Sequence, residues 1–443
     1  MSPFSFLKDD MTGRYLRLTW INILSNVTVP LVGLVDTAML GHLPDIRFLA
    51  GVALGTILFD YIYWTFGFLR MGTTGTTAQA IGRGEPAEAY LVLYRSLALA
   101  GLIAGAILVL QWPLREAGFL LLSGEPGVEQ AGRAYFNARI WGAPATLCNF
   151  ALIGWFLGRE QSRQVLAMTV VANIANIVLN YIFIMQMGLA AFGAGLATMI
   201  AQYSMLATGA ALFLAQSGRI PWRMGEILHR EKLVSLLLLN RDILVRTFCL
   251  ITSFAIFANF SSILGTAVLA ANSILLRLLL VASFLIDGAA FASESLAGVF
   301  VGARNRAALR RLFRLSLMVG EGFALLFLAV IFARPRAMLG LLTSHEEVVD
   351  MAMAWAPWLI PVLLFGALAY MYDGLFLGMT EGRRLRNSML FSTLCVFLPV
   401  AALGLALDSS PLLWAGLTAF MAARAVTLGW MSRSLVGNGT FPG

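Results

Sequence analysis

The sequence contains few charged residues. Asp, Glu, Lys and Arg make up 12% of its 443 residues, whereas hydrophobic residues make up 59% and the mean hydropathy is +0.81. This composition leaves too little polar surface to cover a soluble globular protein. The sequence therefore predicts a protein whose main solvent is a lipid bilayer.

Lysine, histidine and cysteine are scarce, which excludes several kinds of chemistry. Neither lysine, Lys8 or Lys232, follows a glycine, so the Gly-Lys-Ser/Thr loop of an ATP-driven pump is absent. The three histidines, His42, His229 and His345, are far apart. The three cysteines also lack the spacing of metal ligands. We expect no catalytic residues, no metal site and no cofactor.

The formal net charge of +8 does not indicate a nucleic-acid partner, because the basic residues form short clusters between apolar runs. These clusters occupy every second connection between the apolar runs, as the positive-inside rule requires. We therefore expect a multi-pass protein of the cytoplasmic (inner) membrane, in contact with membrane lipids and with both termini cytoplasmic. We also expect it to be a monomer.

The apolar runs predict twelve transmembrane helices, since a bilayer core needs roughly 20 apolar residues per helix. The first six end near Leu40, Ala80, Trp112, Gly158, Met187 and Ser217, and six more are centred near Phe254, Leu285, Phe323, Phe365, Phe397 and Ala422. The fold class is thus an all-α membrane protein.

The two halves of the sequence repeat one another. Gly82 corresponds to Gly302, and Gly154-x-Phe156-Leu157-Gly158 to Gly374-x-Phe376-Leu377-Gly378, at a constant shift of 220 residues (302 − 82 and 374 − 154). We therefore expect two six-helix lobes related by pseudo-twofold symmetry about the membrane normal, with a cavity between them. The predicted bounds are 1–217 for the N-lobe, 218–235 for a cytoplasmic linker and 236–443 for the C-lobe.

A few carboxylates lie well inside the apolar helices, where ionisation is costly and acids usually face the bundle interior or a wet cavity. They are Asp36, Asp60, Asp287, Glu294 and Asp373. We leave Asp60 outside the predicted site, because nothing near it in the sequence indicates its role.

Other residues of the apolar helices are expected to influence the acids. Pro30 lacks an amide proton and is expected to bend helix 1 before Asp36. Arg70, Arg246, Arg277 and Arg424 are expected to pair with acids or to reach an interface. At the 220-residue shift, the counterparts of Asp36, Asp287, Glu294 and Asp373 are uncharged. The two lobes should therefore have different roles.

Several segments resemble the multidrug and toxic compound extrusion (MATE) transporters, especially their DinF-type branch. They are Asn26-Val27-Thr28-Val29-Pro30 through Asp36 to His42, Leu69-Arg70-Met71-Gly72-Thr73-Thr74-Gly75, Asp287-Gly288 through Glu294, and Asp373-Gly374-Leu375-Phe376-Leu377-Gly378. The resemblance covers essentially the whole chain. It implies a V-shaped pair of six-helix lobes that exports small organic, often cationic compounds in exchange for H⁺ or Na⁺.

The resemblance also implies roles for individual residues. Asp36 matches the coupling acid of helix 1, Asn176 matches a helix 5 asparagine and Thr198 a helix 6 threonine. Asn180 stands where many relatives have an acid, which favours H⁺ over Na⁺, because Na⁺ needs several oxygen ligands. Asp373 matches an acid of helix 10, although helix 7 lacks the acid that another branch uses.

The leading hypothesis is therefore H⁺-coupled antiport with alternating access. Asp36, Asn176, Asn180 and Thr198 form the expected coupling site, while Asp287, Glu294 and Asp373 shape a pathway in the C-lobe. A flippase for lipid-linked saccharides, from the same superfamily, is the alternative. An intramembrane enzyme is a further rival, but it would need clustered histidines or paired acids at one depth.

Overall fold

The computed structural model describes residues 10–122, 125–216, 229–340, 342–343 and 345–436. Within these ranges every regular element is helical and no β-strand occurs. Two short helices, Gln111–Leu121 and Pro335–Gly340, accompany the long ones. The all-α fold class predicted from the sequence is confirmed.

Twelve long helices follow one another along the described residues. They are α1 (Asp10–Gly41), α2 (Arg47–Gly82), α3 (Pro86–Val109), α4 (Pro126–Gly158), α5 (Ser162–Gln186), α6 (Ala190–Gln216), α7 (Arg230–Leu264), α8 (Thr266–Gly302), α9 (Arg306–Ala333), α10 (Glu346–Gly378), α11 (Gly382–Ala406) and α12 (Ser410–Val436). The 11 helices from α2 to α12 are long and apolar enough to cross a membrane. α1 has 32 residues, more than the roughly 20 that a bilayer requires, and completes the predicted twelve.

Several of these helices contain an irregular turn. α2 turns at Phe66 and Gly67, and α4 and α10 each include one turn of 3₁₀ helix, at Ile140–Gly142 and Ala356–Trp358. α5 and α11 include π-helical segments, Tyr181–Gln186 and Ser392–Phe397. α4 and α10, and likewise α5 and α11, therefore share the same kind of irregularity, as the repeat in the sequence predicts.

Two predictions concern residues that are only partly described. α1 continues as a helix through Pro30, whose side chain lies outside the described residues, so the bend expected there stays a prediction. The predicted linker, 218–235, is described only from residue 229 onward, and the residues from Arg230 form the first turns of α7. The lobe bounds 1–217 and 236–443 also stay predictions.

The described chain divides into two compact units. The C unit holds the described residues up to Ile23, Gly82–Gly84 and those from Leu237 onward, and the N unit holds those of Leu24–Ile81 and Glu85–Leu236. α1 contributes to both units. In the C unit, the Tyr15 hydroxyl donates a hydrogen bond to the carbonyl oxygen of Ala289 at 3.2 Å.

The internal repeat is visible in the backbone of the turns. Three residues with left-handed φ angles have left-handed counterparts 220 positions later: Gly84 (75°) and Arg304 (53°), Glu160 (59°) and Thr380 (57°), and Gly188 (67°) and Asp408 (49°). L residues rarely adopt this conformation. Three such pairs at one shift therefore indicate that corresponding turns in the two halves have the same geometry.

The repeated Gly-x-Phe-Leu-Gly element lies where two helices pack closely in each half. A Cβ atom added at Gly154 in α4 would lie 2.5 Å from the carbonyl oxygen of Arg70 in α2. A Cβ atom added at Gly374 in α10 would lie 2.5 Å from the carbonyl oxygen of Ala290 in α8. Glycine thus allows α4 to pack on the backbone of α2, and α10 on that of α8.

Candidate functional site

Four of the residues predicted for the coupling site form one hydrogen-bonded chain in the N unit. Asn180 Nδ2 donates to Oδ1 of Asp36 at 2.5 Å and to Oδ1 of Asn176 at 3.0 Å. Asn176 Nδ2 donates to Oγ1 of Thr198 at 3.3 Å, and Thr198 Oγ1 donates to the carbonyl oxygen of Ala194 at 2.9 Å. This hydrogen-bonded chain of side chains connects α1, α5 and α6.

Helix geometry explains how these residues meet. Asn176 and Asn180 are four residues apart on α5, so both amides project from one face, and both are buried. Ser25 of α1 contacts Thr169 of α5 through their hydroxyls, 3.1 Å apart. Residues 25 and 169 each lie eleven positions before Asp36 and Asn180 respectively, so this part of α1 runs parallel to α5 along one contact line.

Arg139 of α4 lies near this chain, although the sequence reasoning did not single it out. Its guanidinium lies 4.6 Å from the ring centroid of Phe59 and 5.5 Å from that of Tyr135, and Nη1 donates to the Tyr135 hydroxyl at 2.6 Å. Its positive charge acts on both Asp36 and Asp60. The available signal was an arginine inside a predicted membrane span, which is itself uncommon.

The predicted acids of the C-lobe lie elsewhere, in the C unit. Asp373 of α10 forms ion pairs through Oδ2 with both Arg246 of α7 and Arg424 of α12. The exposed fractions of these residues are 4%, 6% and 0% in that order, so the cluster is buried. The contacts of Arg246 and Arg424 agree with the expectation that arginines inside the membrane pair with acids.

The other two predicted acids, Asp287 and Glu294, lie on α8. Asp287 is half-buried, and its charge acts on Tyr370 together with the charges of the Asp373 cluster. Glu294 is 1% exposed and lies where α8 packs against Gly378 of α10. The predicted site residues therefore separate into the hydrogen-bonded chain of Asp36 in the N unit and three acids, Asp287, Glu294 and Asp373, in the C unit, of which Asp373 pairs with arginines.

The described residues include no group of three or more His, Cys, Asp or Glu side chains that could hold a metal ion. Asp36 is accompanied by two amides and a hydroxyl. An isolated carboxylate in such surroundings can bind or release one proton, and it can attract a cationic group when ionised.

Comparison with known proteins identifies the family. The family model described as MatE matches the chain twice, at residues 22–182 and 243–403. The chain belongs to the MatE family. The two matched stretches have equal length, in agreement with the internal repeat.

Individual members of the MatE family match along most of the chain. DNA damage-inducible protein F of Escherichia coli is 35% identical over 430 residues, which cover 95% of this chain and 91% of that protein. The probable multidrug resistance protein NorM of Acinetobacter baylyi is 27% identical over 370 residues, 80% of this chain and 78% of that protein. An outward-facing multidrug resistance MATE transporter superposes with a TM-score of 0.87 at 19% identity, covering 98% of each chain.

Membership of the MatE family settles the class of the protein. It is a multi-pass membrane transporter and not an enzyme, and it has the twelve-helix, two-lobe fold of the family. The resemblance found in the sequence is confirmed, as is assignment to the multidrug efflux transporters.

Proposed function

We propose that this transporter exports small organic compounds, including cationic ones, in exchange for inward-moving H⁺, and that Asp36 carries the proton. The observation that supports this proposal is the chain of hydrogen bonds from Asp36 through Asn180 and Asn176 to Thr198. It contains one carboxylate, so its charge changes by one unit when Asp36 binds a proton.

The groups around Asp36 favour H⁺ over Na⁺ as the coupling ion. A hard cation such as Na⁺ requires several oxygen ligands, whereas Asn180 presents Nδ2 to Asp36. Arg139, whose charge acts on Asp36 and on the nearby acid Asp60, already supplies a positive charge. A proton binds to a single carboxylate oxygen, so it requires neither several oxygen ligands nor a site that is free of other positive charge.

Protonation of Asp36 can reverse the donor and acceptor roles along the hydrogen bonds that run from Asp36 to Thr198. A protonated carboxyl donates a hydrogen bond, which Nδ2 of Asn180 cannot accept. Rotation of the Asn180 amide would present Oδ1, a buried atom without a hydrogen-bond partner among the described residues. Rotation of Asn176 would follow, and its oxygen would then accept from Thr198, whose hydroxyl now donates to Ala194. The proton on α1 would thereby alter contacts within α6.

Drug efflux in everted membrane vesicles with an imposed pH gradient tests this proposal. Asp36→Asn keeps the size of the side chain but cannot bind the proton, so we expect at least a tenfold loss of gradient-driven transport. Asp45→Asn is the matched control, because Asp45 pairs with Arg47 in the turn beyond α1. Full activity of Asp36→Asn would remove Asp36 from the coupling role.

The sequence also supports a proposed arrangement in the membrane. We propose that the protein lies in the cytoplasmic membrane with both termini in the cytoplasm, because basic residues occupy every second connection. We also propose that it acts as a monomer of two lobes, 1–217 and 236–443. Cysteine labelling of residues in alternate connections tests the orientation. The flippase alternative predicts movement of a lipid-linked saccharide in reconstituted vesicles, and the multidrug resistance names of the relatives favour efflux of smaller compounds.

A further inference from the structure

Arg139 of α4 is held by aromatic rings and not by an acid. Its guanidinium lies 4.6 Å from the ring centroid of Phe59, 5.9 Å from that of Tyr63 and 5.5 Å from that of Tyr135. Phe59 and Tyr63 lie one turn apart on α2, as do Tyr135 and Arg139 on α4, so two helix faces form an aromatic cage. All three rings are buried. Because aromatic faces attract a cation without cancelling its charge, Arg139 keeps a full positive charge inside the N unit.

The aromatic cage lies beside the end of the hydrogen-bonded chain of the coupling site. A Cβ atom added at Gly195 of α6 would lie 2.5 Å from the carbonyl oxygen of Tyr135 and 3.3 Å from the amide nitrogen of Arg139. Ala194, the residue before Gly195, accepts the hydrogen bond from Thr198 that ends the chain. The turn of α4 that carries Arg139 therefore packs directly on the turn of α6 where the chain ends.

Two acids share the charge of Arg139. The guanidinium acts electrostatically on both Asp36 and Asp60, but none of the described carboxylates forms an ion pair with it. The other titratable groups near Arg139 are the hydroxyls of Tyr63 and Tyr135, which are uncharged at neutral pH. One cation and two carboxylates are neutral together when a single proton is bound. Since net charge inside a membrane protein is costly, the group favours the binding of one proton.

We propose that Arg139 is the resident cation of the coupling site and that it restricts the site to one proton, because its guanidinium already balances one of the two acids. When Asp36 is protonated, Arg139 balances Asp60. When Asp36 is ionised, both acids share the guanidinium. The proposal rests on the proposed proton-carrying role of Asp36, and it adds Arg139 as the residue that excludes Na⁺ and Asp60 as the second acid.

Removing the resident cation should open the site to Na⁺. In Arg139→Gln the two acids retain their charges, so a bound Na⁺ replaces the guanidinium. A ligand that binds the folded state raises the melting temperature. Melting of the purified protein in detergent is therefore measured at pH 8 while NaCl replaces choline chloride. We expect the Na⁺-induced rise to be at least threefold larger than in the wild type. The measurement uses no ion gradient and no transported compound.

Three variants distinguish charge balance from packing. Arg139→Lys keeps the positive charge and should respond to Na⁺ as the wild type does. Arg133→Gln removes an arginine of α4 that pairs with Glu116 and Glu129, and it should also respond as the wild type does. Arg139→Gln/Asp60→Asn removes one cation and one acid. Its charges again balance with a single proton, so the enhanced response to Na⁺ should disappear.

Asp60→Asn tests the proposal independently of whether Arg139→Gln folds. Without the charge of Asp60, Arg139 and ionised Asp36 already balance, so a proton should bind Asp36 only at lower pH. The pH dependence of efflux should therefore shift downward by at least one unit. The proposal is overturned if this dependence is unchanged, or if Arg139→Gln melts cooperatively and responds to Na⁺ no more than the wild type. Absence of pH-driven efflux in the wild type would instead contradict the proposed function, so the two failures are distinguishable.

Discussion

Asn180 donates a hydrogen bond from Nδ2 to Oδ1 of Asp36 over 2.5 Å and so joins α5 to α1. The same Nδ2 also donates to Asn176, whereas the amide oxygen of Asn180 is buried without a hydrogen-bond partner among the described residues. The amide therefore offers an unused acceptor beside the carboxylate. A protonated Asp36 could donate to it after a single rotation of the amide group.

Changing Asn180 to Asp should convert the site towards Na⁺. The second carboxylate would lie in contact with Asp36, and two adjacent acids ionise together only when a cation lies between them. We expect Asn180→Asp to make transport at constant pH at least threefold faster in the presence of a Na⁺ gradient. Vesicle efflux with and without Na⁺ measures this.

Asn173→Asp provides the matched control for Asn180→Asp. Asn173 lies on the same helix, one turn before Asn176, and takes no part in the chain of hydrogen bonds from Asp36 to Thr198. An equal Na⁺ response in both variants would show that an added charge anywhere on α5 suffices, which would contradict the prediction.

Removing the Thr198 hydroxyl should impair transport more than folding. Thr198→Val keeps the side-chain shape but leaves Nδ2 of Asn176 without its acceptor, at a cost of about 1–2 kcal/mol in the free energy of unfolding. The proposed reversal of the hydrogen bonds would also lose its end point on α6, so we expect at least a tenfold loss of pH-driven efflux.

The control for Thr198→Val is Thr208→Val. Thr208 lies on the same helix, and its hydroxyl donates to the carbonyl oxygen of Ser204 at 2.8 Å. It should transport at the wild-type rate, with melting temperature and efflux measured on the same preparations. A similar loss in both variants would mean that α6 tolerates no threonine change, and the specific role of Thr198 would be withdrawn.

Much of the fold could be predicted because the bilayer imposes strong constraints on a sequence. The predicted helix ends at Leu40, Gly158 and Met187 fall within one residue of the observed ends at Gly41, Gly158 and Gln186. The predicted end near Ser217 lies outside the described residues. The 220-residue shift was detectable because close helix packing demands glycine, as at Gly154 and Gly374. Helix length and glycine at close contacts are local properties, so they can be recognised directly in the sequence.

Contacts between distant helices were harder to predict. The family resemblance predicted that Asp36, Asn176 and Thr198 belong to one site, and a series of hydrogen bonds through Asn180 connects them in the structure. No pattern in the sequence placed Arg139 beside Phe59, 80 positions earlier (139 − 59). Likewise, nothing indicated that Arg246 and Arg424 would share one oxygen of Asp373, because that depends on how three helices are rotated about their axes.

The close contact between α4 and α2 predicts a steric penalty. The added Cβ of Gly154→Ala would clash with the carbonyl oxygen of Arg70, and we expect the free energy of unfolding to fall by roughly 1–3 kcal/mol. Gly101→Ala in α3 is the control, since nothing lies within 4 Å of its added Cβ. It should be neutral or slightly stabilising. Melting temperatures in detergent compare the two, and equal values would contradict close packing at Gly154.

Glu381, in the turn between α10 and α11, should make stability depend on pH. Burial raises the pKa of its carboxyl above the ordinary 4.5, and the nearby Arg384 cation only partly opposes this effect. The folded protein thus binds the Glu381 proton more tightly than the unfolded chain does, so the ionised carboxylate destabilises the fold at neutral pH. This destabilisation should disappear as the pH falls below about 4.5.

Glu381→Gln should therefore raise the melting temperature at pH 7.5, and the difference from the wild type should shrink towards pH 4. Gln161 already occupies the corresponding position 220 residues earlier, before α5, so the fold accepts glutamine in this turn. The variant loses the 3.2 Å ion pair with Arg384, but such partly exposed pairs contribute little. Glu346→Gln, at a highly exposed acid, is the control. A lower melting temperature for Glu381→Gln at pH 7.5 would mean that the ion pair outweighs the cost of burial.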